Sequence, residues 1–482
     1  VKLPVLLLAS AIAFASSFRC EAAPGPPVPS VSETGLVFLS GKLAALRGGL
    51  DGKVRILHLG DSHVASDSLT FAAREALQSA YGNGGPGAMM PWAAPKAFRR
   101  AGVSAGSTAG WRRHVPNRAG GIEDAGLSGC YVESSSAGEE AWLRADAVLF
   151  RVALLRQPGG GTVDFSIDGR FAGRRFLGAD AAEAETVVLR ADGPGAAHRL
   201  SIRVAGDGRV RLLGVSAENG VPGVVYGALG VAGARAEDLL KIRPEVFRRL
   251  LAAEAPDLVV VAFGTNEASS SGFDPAACEA SLSRVIATIR ETLPFSAVAI
   301  QTPPDRADPQ AATALRSRAA LSQVVALQRA TAAREGLPVI DLYDMMGGAG
   351  TAAGWRASSP PLAQPDGTHF TKAGYARLGR MLGDGLLALH ARTQETPAYA
   401  AYLRENGAPP APRAVRGSAA VPAVEKTPEA GGKLHYFLKP DGTLFITDDL
   451  ARGAEGNGRR LTESEFREQV NSSPPEGAEE AR

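Results

Sequence analysis

Ser62 stands in "GDSH" (60–63), directly after the apolar run "VRILHLG" (54–60). A serine hydroxyl acts as a nucleophile when a base takes its proton, a third group orients that base, and N–H donors receive the charge on the attacked oxygen. Candidates for each part lie far along the chain. Gly233 is in "GVAGAR" (230–235), Asn266 in "FGTNE" (263–267), and Asp366 and His369 share "PDGTHFTKAGY" (365–375). Taken singly, each has an ordinary structural role. Gly-Asp-Ser is a common turn, an Asn at a strand end turns or caps the chain, and "DGTH" can simply open a helix.

The elements around these residues give them a shared location. "VRILHLG" reads as a strand and "DSLTFAAREALQSAYG" (67–82) as a helix capped by Ser66 or Asp67. "GVVYGALG" (223–230), "DLVVVAFG" (257–264), "SAVAIQT" (296–302) and "LPVIDLYD" (337–344) supply four more strands. Helical stretches lie between them at 234–255, 274–292 and 312–336, and a last helix starts at Thr371. Apolar strands alternating with amphipathic helices predict an α/β unit with a parallel sheet, whose ligands bind beyond the carboxyl ends of the strands. All four polar signals fall there.

Residues 104–222 break the rhythm. "TVDFSIDGRFAGRRF" and "HRLSIRVAGDGRVRLLGVSAE" alternate with period two and carry DG turns, which predicts an inserted antiparallel β-sandwich. The flanking α/β unit then occupies 46–103 and 223–392. "YGNGGPGAMMPW" (81–92) lacks the Lys and following helix of a phosphate loop and reads as a flexible wall of the cleft. Residues 393–432 read as a Pro/Ala-rich linker, and 433–482 as a hairpin around Pro440-Asp441-Gly442 with a polar tail.

At the other end, Lys2 precedes an apolar run from Pro4 to Ala15, then small residues and a Pro-rich stretch. Twelve apolar residues are too few to span a bilayer, so 1–23 reads as a secretory signal peptide, with a linker over 24–45. Arg19 before Cys20 argues against a lipidation site. Export to the periplasm or beyond is the expectation, with no integral membrane segment after signal removal. The mature chain then keeps Cys130 and Cys278, for which one disulfide is possible in an oxidising compartment, but which read better as two unrelated buried thiols.

A net charge of +2 over 482 residues gives no electrostatic case for nucleic acid. The seven histidines show no H-x-H or HExxH spacing and the cysteines no CxxC, so neither metal nor cofactor is expected. His58, inside the first strand, reads as a core residue and His63 as structural. His114, His198, His390 and His435 are scattered. Trp111 and Trp142 fit a core as well as a sugar platform.

Together, in this order, the blocks "GDSH", "GTNE" and "DGTHFTKAGY" resemble the SGNH (GDSL-type) hydrolase family. Two positions depart from its pattern: Ala232 stands where Asn is frequent, and Glu267 where Asp is usual. The resemblance implies a three-layer α/β/α, flavodoxin-like fold. It assigns Ser62 as nucleophile, His369 as base and Asp366 as its orienting partner, with Ser62, Gly233 and Asn266 forming the oxyanion hole. "GDSHVASDSLTFAAREALQSAYGNGGPG" and "GALGVAGARAEDLL", with a β unit between them, look like the exported peptidoglycan O-acetylesterases of Gram-negative bacteria. That subgroup implies an acetylated glycan as substrate. The same residues would also serve a lipase- or thioesterase-like hydrolase or an O-acetyltransferase, and a non-catalytic glycan-binding protein is a further alternative.

Overall fold

The computed structural model describes residues 31–92, 99–116, 122–193, 195–269, 272–307 and 319–410, and three strand segments at 435–438, 444–447 and 459–461. The stretch expected as a signal peptide and most of the Pro/Ala stretch lie outside the described residues. The central sheet is parallel and six-stranded, in the order Val339–Ile340, Ala297–Gln301, Leu258–Ala262, Lys53–Gly60, Gly223–Gly230, Asn83–Gly85. Lys53–Gly60 is central, and Gly60 lies beside both Gly230 and Ala262.

Alternation within the strands builds the two outer layers. Leu57, Leu59, Val259, Val261, Val298 and Ile300 face one side, packed with Phe247 and Leu250 of the helix Pro244–Glu254 and with Val285 and Ile289 of Pro275–Thr292. Val54, Ile56, Leu258, Val260, Ala297 and Ala299 face the other. There they meet Leu39 and Leu43 of Val31–Arg47, Leu69 and Leu77 of Ser68–Tyr81, and Leu378 and Leu382 of Lys372–Gln394. Both faces of every central strand are therefore buried, which is why these strands read as continuous apolar runs.

Three expectations need correction. Residues 31–47, within the stretch expected as linker, form a helix whose Leu39 and Leu43 are core residues. The last helix runs on to Gln394, and Pro397–Asn406 is helical too, started by the Thr396 hydroxyl, which accepts the Tyr399 N–H, and by Pro397 in its first turn. The Gly-rich stretch is no loose wall. Asn83–Gly85 is the sixth parallel strand, and Gly87–Met89 pairs with Val210–Glu218 of the insertion.

The insertion is two antiparallel sheets. One has the order Arg170–Phe176, Thr162–Ile167, Ala197–Val204, Glu140–Asp146, Val103–Ser107. The other has Glu183–Arg190, Leu149–Arg156, Val210–Glu218, Tyr131–Ser134, Arg112–His114. Leu143, Phe150, Phe165, Leu200 and Leu212 fill the space between them. The second sheet also shares a core with the α/β unit through Leu155 and Leu213. Trp111 is buried in this sandwich, and Trp142 is half-buried with the Arg199 guanidinium 5.1 Å from its ring. Cys130 and Cys278 are free thiols. Residues from 413 onward form a separate unit, in which His435–Leu438 pairs antiparallel with Leu444–Thr447 and with Arg459–Leu461.

Candidate active site

The central strand ends at Gly60 and the chain turns at once into the short helix Ser62–Ala65. Asp61 caps this turn: its buried carboxylate accepts the His63 N–H at 2.9 Å and its carbonyl accepts the Ala65 N–H at 3.0 Å. Two glycines make room for it. A Cβ on Gly60 would lie 2.4 Å from Val64 Cγ2, and one on Gly230 would lie 2.2 Å from the Ala65 nitrogen. Ser62 is thereby held half-exposed above the sheet, at the first helical position, where its N–H has no intrahelical acceptor.

His369 reaches Ser62 from 307 residues away: Nε2 lies 3.0 Å from Ser62 Oγ. Its Nδ1 lies 2.7 Å from Asp366 Oδ2, while Asp366 Oδ1 accepts the N–H groups of Thr368 and His369, each at 2.9 Å. Partial burial pushes the Asp366 carboxyl up, but the hydrogen bonds from the His369 backbone and ring and from Thr368 outweigh it, so its pKa lies below the ordinary value. Asp366 is thus a carboxylate acceptor, and His369 Nδ1 must be the donor. That leaves Nε2 with a lone pair directed at the serine hydroxyl, the protonation pattern a general base requires.

The other two loops lie at neighbouring strand ends. Gly233, with φ of +82°, follows Gly223–Gly230, and the half-exposed Asn266 follows Leu258–Ala262. One Asn266 amide hydrogen goes to the Ala234 carbonyl at 2.9 Å, which binds the two loops together. Glu267 binds them a second time. Its carboxyl accepts the Ala236 N–H at 2.9 Å and the Gly264 N–H at 3.0 Å, and burial raises its pKa to about 7.

His63 is buried beside His369, with Nδ1 3.0 Å from the Tyr375 hydroxyl and its ring centre 5.7 Å from that of His369. Burial lowers its pKa, so it stays neutral. His58 lies deeper, 2.9 Å from the Tyr226 hydroxyl, and burial lowers its pKa to about 3. Asp67 occupies the N-cap position of the next helix but does not cap it. Its buried carboxylate is 3.0 Å from both Arg74 and Arg100 and accepts from Thr70 at 2.9 Å and Ala101 at 2.7 Å. Burial pushes that carboxyl up, yet the two guanidinium groups hold its pKa below the ordinary value. Glu267, Tyr375 and Arg306 were not singled out for the site from sequence. Glu267 stood out only as an oddity of the "GTNE" block. Among the described residues no cluster of His, Cys, Asp and Glu suits a metal ion, and no described helix is long and apolar enough to cross a membrane.

The sequence profile of the GDSL-like lipase/acylhydrolase family matches residues 192–377, a span that holds Gly233, Asn266, Asp366 and His369 but not Ser62. Among solved structures, a peptidoglycan O-acetylesterase is similar at 27% identity and a TM-score of 0.63, over 75% of this chain and 98% of that one. A lipase/acylhydrolase from Enterococcus faecalis is 27% identical over 35% of this chain and 77% of that one, with a TM-score of 0.28. A carbohydrate acetylesterase from Sinorhizobium meliloti is 18% identical over 34% of this chain and 79% of that one, with a TM-score of 0.27. The last two overlay too little to bear on this chain. No curated protein sequence matches it.

Proposed function

Starting from a hydrolase with the GDSL/SGNH esterase fold, we propose that this chain removes O-acetyl groups from a glycan, namely peptidoglycan, through an acetyl-enzyme on Ser62. The observation that carries the proposal is the hydrogen-bonded series Ser62–His369–Asp366 beyond the end of the central strand. Ser62 Oγ attacks the acetyl carbonyl carbon while its proton passes to His369 Nε2. The carbonyl electron pair moves onto oxygen, where the N–H groups of Ser62 and Gly233 and the second Asn266 amide hydrogen receive it. Collapse breaks the bond to the sugar oxygen, which leaves with the proton from His369. Water then attacks the acetyl-enzyme by the same route, releasing acetate and restoring the serine. Asp366 keeps Nδ1 protonated and stabilises the imidazolium that forms in each half.

The choice of peptidoglycan rests on the likeness to the peptidoglycan O-acetylesterase, which extends over 98% of that chain. The signal-like segment from Lys2 to Ala15 supports an exported, periplasmic enzyme, and a cell-wall substrate lies in that compartment. The test is acetate release from O-acetylated peptidoglycan by the wild type and by Ser62→Ala. Release by the wild type alone is the expected result. Ser62-dependent cleavage of an aryl acetate without release from the polymer would overturn the substrate and keep the esterase.

A further inference from the structure

We propose that Arg306 is a positioning residue of this site: a buried strut that fixes the spacing between the Asn266 loop and the Asp366–His369 loop. The proposal rests on the esterase function above. Arg306 follows the strand Ala297–Gln301, whose neighbour is Leu258–Ala262, and only 5% of it is exposed. Nη1 donates to the Thr265 carbonyl at 3.0 Å and also to the Ser269 hydroxyl. Nη2 donates to Thr368 Oγ1 at 2.9 Å. Thr265 immediately precedes Asn266, and Thr368 sits between Asp366 and His369. The next residue adds a backbone tie, since the Ala307 N–H donates to the Gly367 carbonyl at 2.8 Å. Among the described residues, no other side chain hydrogen-bonds to both loops.

Burying a guanidinium costs desolvation, and an apolar side chain would fill the space without that cost. What an apolar residue cannot supply is a rigid planar fork with donors directed at two separate loops. The reaction needs that spacing held. The oxyanion forms next to Asn266 while positive charge appears on His369, so both loops must meet one tetrahedral centre at once. Glu267 fixes the Asn266 loop against the Gly233 loop, and Arg306 fixes it against the base. A misplacement of about 1 Å at such a site costs about 10²-fold in rate.

The experiment measures kcat and KM on an aryl acetate for the wild type, Ser62→Ala, Arg306→Ala, Arg306→Lys, Thr368→Val and the double variant Arg306→Lys/Thr368→Val, with thermal midpoints for each. Arg306→Ala is expected to lose about 10²-fold in kcat with little change in KM, and added guanidinium ion at non-denaturing concentration is expected to restore part of it. Thr368→Val severs only the base-loop end of the strut. Its loss should therefore be non-additive with that of Arg306→Lys, the double variant being about as slow as the slower single one. If Arg306→Ala does not fold, Thr368→Val must still lower kcat at an unchanged midpoint. A folded Arg306→Ala within about twofold of wild type, or losses that multiply in the double variant, would overturn the strut. A wild type without Ser62-dependent turnover would instead overturn the esterase function itself, and the strut with it.

Discussion

Asp366→Asn should inactivate the enzyme by forcing its histidine into the wrong tautomer. In the wild type, one carboxylate oxygen accepts two backbone N–H groups, from Thr368 and His369, and the other accepts His369 Nδ1–H. Asparagine has one acceptor oxygen. Turned toward the backbone it keeps two hydrogen bonds, and turned toward the ring it keeps one while its NH₂ confronts two N–H donors. At about 1 kcal/mol for each bond kept, plus the cost of unpaired donors, the oxygen stays on the backbone. The NH₂ then faces Nδ1, which must become an acceptor. The proton moves to Nε2, which now donates to Ser62 Oγ and cannot take its proton. A tautomer reversal of this kind lowers kcat by about 10⁴-fold. Asp366→Ala removes the acceptor but imposes no tautomer, so it should retain more kcat per folded molecule than Asp366→Asn while losing the two backbone bonds of the turn. Initial rates on an aryl acetate, normalised by active-serine titration with a phosphonate, decide the matter. Asp366→Asn within tenfold of wild type, or clearly faster than Asp366→Ala, would refute the reasoning.

Asp67→Ala leaves Arg74 and Arg100 buried without their anion and should cost about 3–5 kcal/mol in urea unfolding, against a far smaller cost for a surface Asp such as Asp384. Gly230→Ala puts a methyl into the backbone under Ser62–Ala65 and should lose about 1–3 kcal/mol of stability and most of kcat, seen by paired melts and rates. Glu267 has a folded pKa near 7, above its ordinary 4.5, so the folded state holds this proton more tightly than the unfolded one. Its contribution to stability is complete below pH 4.5, declines as pH rises, and is gone above about 7, a change of up to about 3 kcal/mol. In Glu267→Gln that component of the stability–pH curve should disappear; a curve parallel to wild type from pH 4.5 to 8 would contradict it.

The parallel sheet was legible because its strands are buried on both faces and therefore read as unbroken apolar runs. The sandwich was legible for the opposite reason: strands of its first sheet, such as Glu140–Asp146 and Thr162–Ile167, bury every second residue, so the pattern alternates. The helix at 31–47 was hidden by its own composition. Gly35 and Gly41 lower its helix propensity, yet they lie where the Ser296 carbonyl and the Tyr402 ring approach most closely. The strand Asn83–Gly85 has no apolar pattern because it is a short edge that pairs through backbone alone. In the site, the hydrogen-bonded residues Ser62, His369 and Asp366, and Gly233 and Asn266 near them, stood out because each sits in a compact motif beyond a strand end. Arg306 was not. Its partners are a backbone carbonyl and two hydroxyls in other loops, and neither charge pairing nor spacing in the sequence marks such contacts.

The placement of Lys53–Gly60 also bears on how the chain is made. This strand pairs with Gly223–Gly230 on one edge and Leu258–Ala262 on the other, so on a ribosome both partners emerge long after it does. At about 5–20 residues per second, the apolar strand that leads into Ser62 waits roughly ten seconds or more. The β-sandwich is synthesised within that interval, and the strands of its two sheets pair among themselves within residues 103–218. Leu155 and Leu213 of the sandwich share a core with Leu57 and Leu59 of the waiting strand. The inserted domain, which lies between Ser62 and His369 in the chain, is thus complete before either partner strand and offers the first folded surface the strand can lie against.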